Sequence, residues 1–84
     1  PQKRVVLADD DPDARAMLLE FLAKFGFKAI EAFDNGRDAL EFIRDHAAEV
    51  GLVIADWEMP GLTGIEVLRA LRSEQRFEHI PFVM

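Results

Sequence analysis

The stretch VVLADDDPDAR, residues 5–15, decides the reading of this chain. Val5, Val6, Leu7 and Ala8 form a continuous apolar run, the form a strand takes when both of its faces are covered. Three carboxylates follow at once: Asp9, Asp10 and Asp11. Clustered carboxylates repel one another and resist burial. Their place at the end of so apolar a strand therefore needs a chemical reason. Part of it is local. Asp11 predicts a helix cap, with Pro12 at the first helical position, where its missing N–H is harmless.

The rest of the chain repeats this alternation. Ala14, Met17, Leu18, Phe21, Leu22 and Phe25 recur at helical spacing as one apolar stripe, closed by Gly26 as a C′ residue. Phe27 to Ala32 reads as a short strand. Asn35-Gly36 opens a second helix that carries Ala39, Leu40 and Ile43 inward, with Gly51 as its breaker. Leu52 to Ala55 is another fully apolar strand, ending at Asp56. Thr63-Gly-Ile-Glu66 matches a capping box, followed by Ile65, Leu68 and Leu71 as a buried stripe. Ile80 to Met84 reads as a fourth strand entered at a proline. Strands alternating with helices predict an α/β domain with a parallel sheet and right-handed crossovers. Ligands of such sheets bind beyond the carboxyl ends of the strands, at a topological switch point. Asp9, Asp10 and Asp56 all fall there, on two strands apolar enough to be central neighbours.

Composition narrows the function. The chain has 84 residues, half of them hydrophobic, which is one small domain with enough apolar material for a core. Its net charge is −6, from ten Lys and Arg against sixteen Asp and Glu. That balance opposes a nucleic-acid surface and suits a cation or a basic protein partner. Cysteine is absent, so disulfides and thiolate metal sites are excluded. No signal-like segment or membrane-length apolar run is visible, and the expectation is a soluble cytoplasmic protein without a membrane partner.

Three converging carboxylates are reconciled by a hard divalent cation. Mg²⁺ prefers oxygen ligands and keeps positions open for phosphate oxygens, and Mn²⁺ accepts similar donors. A carboxylate beside such a metal can attack phosphorus and become an aspartyl phosphate. Asp11, Asp13, Asp34, Asp38 and Asp45 read as caps or solvated loop residues. His46 and His79, with no partner at ligand spacing, read as surface residues.

LADDDP, followed by IADWEMPGLTG and then IPFVM, resembles the receiver domain of two-component response regulators, in particular the chemotaxis regulators. The likeness implies a doubly wound, flavodoxin-like sheet with strand order 2-1-3-4, and residues 1–84 as the N-terminal portion of a receiver domain. It implies Asp56 as phosphoacceptor from a histidine kinase or histidine phosphotransfer protein. Asp10 is then a direct Mg²⁺ ligand, Asp9 a ligand acting mostly through water, and the backbone carbonyl of Glu58 a further ligand. The Glu58 side chain is a candidate modulator of phosphoryl lifetime. Trp57 follows the acceptor as in the single-domain chemotaxis regulators. Thr63 stands where the family more usually has an acid.

The family also has a Ser or Thr beyond the fourth strand, a fifth strand ending in Lys, and further helices. This sequence stops at Met84 before them, so the resemblance does not carry over their switch readout. The expectation is that the sequence is part of a longer chain, or that copies pair edge to edge through the apolar IPFVM strand. Two other functions are weighed beside phosphorelay signalling. One is a receiver-like module that binds proteins without phosphorylation. The other is a phosphatase with an aspartate nucleophile, against which stands the absence of Asp two residues after Asp56.

Overall fold

In the computed structural model, which describes residues 3–84, the expected alternation is present. The elements are β1 (Arg4–Ala8), α1 (Pro12–Lys24), β2 (Ile30–Phe33), α2 (Gly36–Asp45), β3 (Val50–Ala55), α3 (Gly64–Arg72) and β4 (Phe82–Val83). Single 3₁₀ turns at Ala47–Glu49 and Gln75–Phe77 precede β3 and β4. All pairings are parallel, in the order β2-β1-β3-β4. β1 and β3 are the central neighbours, in the register Val5↔Leu52 through Ala8↔Ala55. Successive side chains of a strand point to opposite faces. Val6, Ala8, Val53 and Ala55 meet Ala39, Leu40 and Ile43 of α2 and Val67 and Leu71 of α3 in one buried cluster. α1 covers the other face.

Three helix starts follow the sequence logic. The Asp11 side chain accepts the Asp13 N–H and Asn35 accepts the Asp38 N–H. Thr63 and Glu66 cap each other reciprocally. Gly26 sits at φ 91°, the left-handed region that a C′ glycine supplies, and the Phe27 N–H returns to the Leu22 carbonyl at 3.1 Å. That bond holds Phe27 in the turn. β2 consequently starts at Ile30, three residues later than the sequence pattern implied.

Other boundaries move for similar reasons. α2 ends at Asp45, before Gly51, which lies inside β3. A Cβ on Gly51 would meet the Lys3 Cβ at 2.8 Å, so this glycine serves a close approach and breaks no helix. The inward stripe of α3 is Gly64, Val67 and Leu71, while Ile65 and Leu68 are only half-buried. β4 is two residues long. Pro81 enters it through its carbonyl, which accepts the Val53 N–H at 3.0 Å. His46 is half-buried, its ring stacked on Phe42 at 4.2 Å and its Nδ1 3.1 Å from the Phe42 carbonyl. Only His79 has the exposed position expected of both histidines.

The α1 stripe has helical spacing, but among its residues only Leu22 is buried. Met17 is 70% exposed, Phe21 56% and Phe25 68%. On the sheet face beneath, Leu52 and Ile54 remain half-exposed, and a cavity of about 290 Å³ opens between Leu18, Ile54, Val83 and Met84. One helix is too narrow to cover a four-stranded face, and among the described residues nothing else lies on it.

The segment between α3 and β4 has little regular structure. Arg72 organises it by donating to the carbonyls of Phe77 at 2.9 Å, Glu78 at 3.3 Å and Ile80 at 2.7 Å. Phe77 and Ile80 are thereby turned into the core, each at most 1% exposed.

Candidate metal centre

The parallel ladder continues one residue past the ends of the central strands. The Asp56 N–H donates to the Ala8 carbonyl at 2.9 Å and the Asp9 N–H to the Phe33 carbonyl at 3.0 Å. These bonds fix the first residue beyond β1 and the first beyond β3 on the same edge of the sheet. Asp9, Asp10 and Asp56 each offer a carboxylate oxygen, and all three oxygens lie within 4.8 Å of one another. The three residues singled out from the sequence are therefore brought together.

Their environments differ. Asp9 is buried at 8% exposure; its Oδ1 accepts the Asp11 N–H at 2.9 Å, and the Arg15 guanidinium donates to its carbonyl at 2.8 Å. Asp56 is half-buried, and its Oδ1 accepts the Trp57 N–H at 2.9 Å. Asp10 is exposed and lines an open cleft of about 530 Å³ with Asp34, Asn35, Arg37, Asp38, Pro60 and Gly61. Asp34 and Asp38 both accept from the Asn35 amide, the local capping role expected of them. Trp57 and Glu58 are exposed on the β3–α3 loop. Met59, from the same loop, is buried at 7% exposure and closes the core beneath it.

As a donor set, three carboxylates of which two reach water suit a hard divalent cation that retains part of its hydration shell. The described residues supply no nitrogen or sulfur donor to this group, which argues against a zinc-type preference. Arg15 escaped sequence reasoning. An arginine on the first turns of a helix has no pattern that marks it as a donor to the first carbonyl beyond the preceding strand.

The model of the response regulator receiver domain matches residues 5–84. The chain belongs to this family. Among receiver-domain proteins, the chemotaxis protein CheY of Pseudomonas aeruginosa is 33% identical over 81 residues, covering 96% of this chain and 64% of that protein. The structure of the chemotaxis protein CheY4 of Vibrio cholerae superposes with a TM-score of 0.83 at 28% identity, over 98% of this chain and 66% of that one. A chain in the co-crystal structure of the Saccharomyces cerevisiae histidine phosphotransfer signaling protein Ypd1 and the receiver domain of its downstream response regulator Ssk1 gives a TM-score of 0.75. It is 26% identical and covers 87% of this chain and 48% of that one. This receiver chain therefore spans less than two thirds of the length of these relatives. Its doubly wound parallel sheet and acidic strand ends are those the resemblance implied.

Proposed function

We propose that this receiver segment accepts a phosphoryl group on Asp56 from a phosphohistidine on a histidine kinase or histidine phosphotransfer protein. Mg²⁺, or Mn²⁺ in its place, is held by Asp9, Asp10, Asp56 and the backbone carbonyl of Glu58. One observation carries this reading: carboxylates from two separate strands converge within 4.8 Å at the carboxyl edge of the sheet. When bound, the cation supplies positive charge against the oxygens of the transferred group.

The protein's own residues do the rest. Trp57 N–H donates to Asp56 Oδ1 at 2.9 Å and helps to orient the carboxylate that attacks phosphorus. An O–P bond forms, the P–N bond to the donor imidazole breaks, and the imidazole keeps the electron pair and takes a proton from water. Reversal to the carboxylate occurs when water attacks phosphorus and inorganic phosphate leaves. Glu58, exposed two residues from the acceptor, tunes the lifetime of the adduct. The segment modifies itself and passes on a state; it is a signalling module and not a turnover enzyme.

The net charge of −6 supports a protein partner over nucleic acid. Among the described residues, no helix is long and apolar enough to cross a membrane. The cytoplasm, where phosphohistidine donors operate, is the compartment we assign. β4 lies at the sheet's edge with Val83 52% exposed, which favours edge-to-edge pairing of two copies. Sedimentation showing a stable monomer at high concentration would remove that pairing.

The central test is incubation with acetyl phosphate and Mg²⁺, followed by intact mass. The expected result is a single phosphate adduct that disappears in Asp56→Asn. An adduct surviving that substitution would sink the assignment of the acceptor. No adduct at all would favour a phosphorylation-independent binding module, and sustained turnover of a phosphate monoester would favour a phosphatase.

A further inference from the structure

Two glycines open helices beside the acceptor loop, and neither is there for backbone freedom. Gly36 and Gly64 are the first residues of α2 and α3, are buried, and have no positive φ. What distinguishes them is the absence of a side chain. A Cβ on Gly64 would collide with the backbone carbonyl oxygen of Asp56 and lie 3.1 Å from its carbon. A Cβ on Gly36 would collide in the same way with the carbonyl oxygen of Leu62, and lie 2.9 Å from Val67 Cγ2. Both obstacles are backbone, which has no rotamer to escape through.

Gly64 also donates its N–H to the Trp57 carbonyl at 3.1 Å. It thus touches two successive peptides of the acceptor loop, one through this hydrogen bond and one through the close contact at the Asp56 carbonyl. On the other side, the Asp56 N–H is tied to the Ala8 carbonyl. The helix start itself is held by the Thr63–Glu66 capping box. A side chain at 64 must therefore move either Asp56 relative to β1 or α3 relative to its cap.

We infer that Gly64 is a positioning residue for the phosphoacceptor, setting where the Asp56 carboxylate stands relative to Asp9 and Asp10 by allowing α3 to press directly on its peptide. The inference rests on Asp56 being the acceptor. Gly36 makes an equivalent contact six residues further along the loop and holds the fold without setting the acid group. The two glycines form a matched pair, similar in packing and different in proximity to Asp56.

The test compares Gly64→Ala and Gly36→Ala with the unaltered 84-residue chain. Urea unfolding measures stability, the midpoint of a Mg²⁺ titration read by Trp57 emission measures assembly of the acid group, and intact mass gives the phosphorylation rate with acetyl phosphate at saturating Mg²⁺. Misplacement of reacting groups by about 1 Å lowers rates by up to roughly 100-fold. Gly64→Ala should raise the Mg²⁺ midpoint and lower the saturated rate about tenfold or more. Gly36→Ala should lose stability while keeping both within about twofold. If either variant is unfolded in buffer, all three proteins are compared in trimethylamine oxide, which favours burial. A folded Gly64→Ala with unchanged midpoint and rate overturns the inference. So does Gly36→Ala matching its losses in proportion to stability. A normal midpoint and rate in Gly64→Ala leaves the acceptor assignment intact, whereas an unaltered chain that takes neither Mg²⁺ nor phosphate removes the assignment and the inference together.

Discussion

Replacing Asp10 by Asn removes one of three negative charges whose oxygens lie within 4.8 Å of one another. Asp10 is the cleanest of the three to neutralise. It is exposed, whereas Asp9 is buried and takes the Asp11 N–H, and Asp56 takes the Trp57 N–H. With water as the screening medium, two unit charges at 4.8 Å repel by about 0.9 kcal/mol. Asp10 takes part in two such pairs, so at low ionic strength the substitution relieves about 1–2 kcal/mol. For a domain of this size that corresponds to a rise in Tm of roughly 4–15 °C. Mg²⁺ should act unequally on the two proteins. It stabilises the parent by about 2.7 kcal/mol at a hundred times its Kd, and the variant far less. Thermal unfolding followed by circular dichroism, in EDTA and in Mg²⁺ at low salt, gives all four values. Asp10→Asn melting below the parent in EDTA would refute the electrostatic reasoning. An equal Mg²⁺ gain in both proteins would refute the role of Asp10 as ligand.

Three other outcomes are expected. Trp57, the single tryptophan and 59% exposed beside Asp56, changes its emission on Mg²⁺ addition, and a response that persists in Asp56→Asn would detach it from the acid group. Glu58→Gln changes the decay rate of the phosphate adduct by about threefold or more, equivalent to about 0.7 kcal/mol in the barrier, and identical decay curves would return Glu58 to a solvated loop residue. The third outcome concerns pH. The backbone and side-chain hydrogen bonds from Thr63 hold the Glu66 carboxyl below the usual glutamate range. The native state therefore binds fewer protons there than the unfolded chain, and stability is lost as pH falls from about 4.3 through the folded value. Glu66→Gln should flatten that acid limb, and an unchanged slope would place the acid sensitivity elsewhere.

The acid group was legible because its signal is an incongruity: carboxylates ending two of the most apolar runs in the chain. Strand order and register add little to that signal, since any parallel arrangement placing β1 beside β3 brings Asp9 and Asp56 to one edge. Helix caps were equally readable, because Asp11, Asn35 and Thr63 act within three residues of themselves. What the sequence hid depends on distant contacts. The periodicity of α1 is real, yet Met17, Phe21 and Phe25 stay exposed because cover is a property of the neighbouring layer. In α3 both Ile65 and Val67 are apolar, and only the position of the sheet selects Val67. Gly51 reads as a breaker, and Gly36 and Gly64 only as parts of helix starts, because a missing side chain leaves no clue to which backbone passes beside it. Phe77 enters the core from a segment with no periodicity at all, and Ile80, read as part of the fourth strand, is buried before β4 begins at Phe82.

That segment hangs on one guanidinium. Because Arg72 gathers the carbonyls of Phe77, Glu78 and Ile80, the course of the chain there depends little on the side chains of Gln75, Glu78 and His79. Gln75, Glu78 and His79 are exposed, while Arg76, also exposed, adds to the shape by pairing with Glu74 at 3.1 Å and lying 4.4 Å over the Phe77 ring. The stretch is in effect an interchangeable label on a fixed mount. Its lettering can be rewritten to suit a different neighbour while β4 stays where it is, and position 72 is the screw that must not be turned.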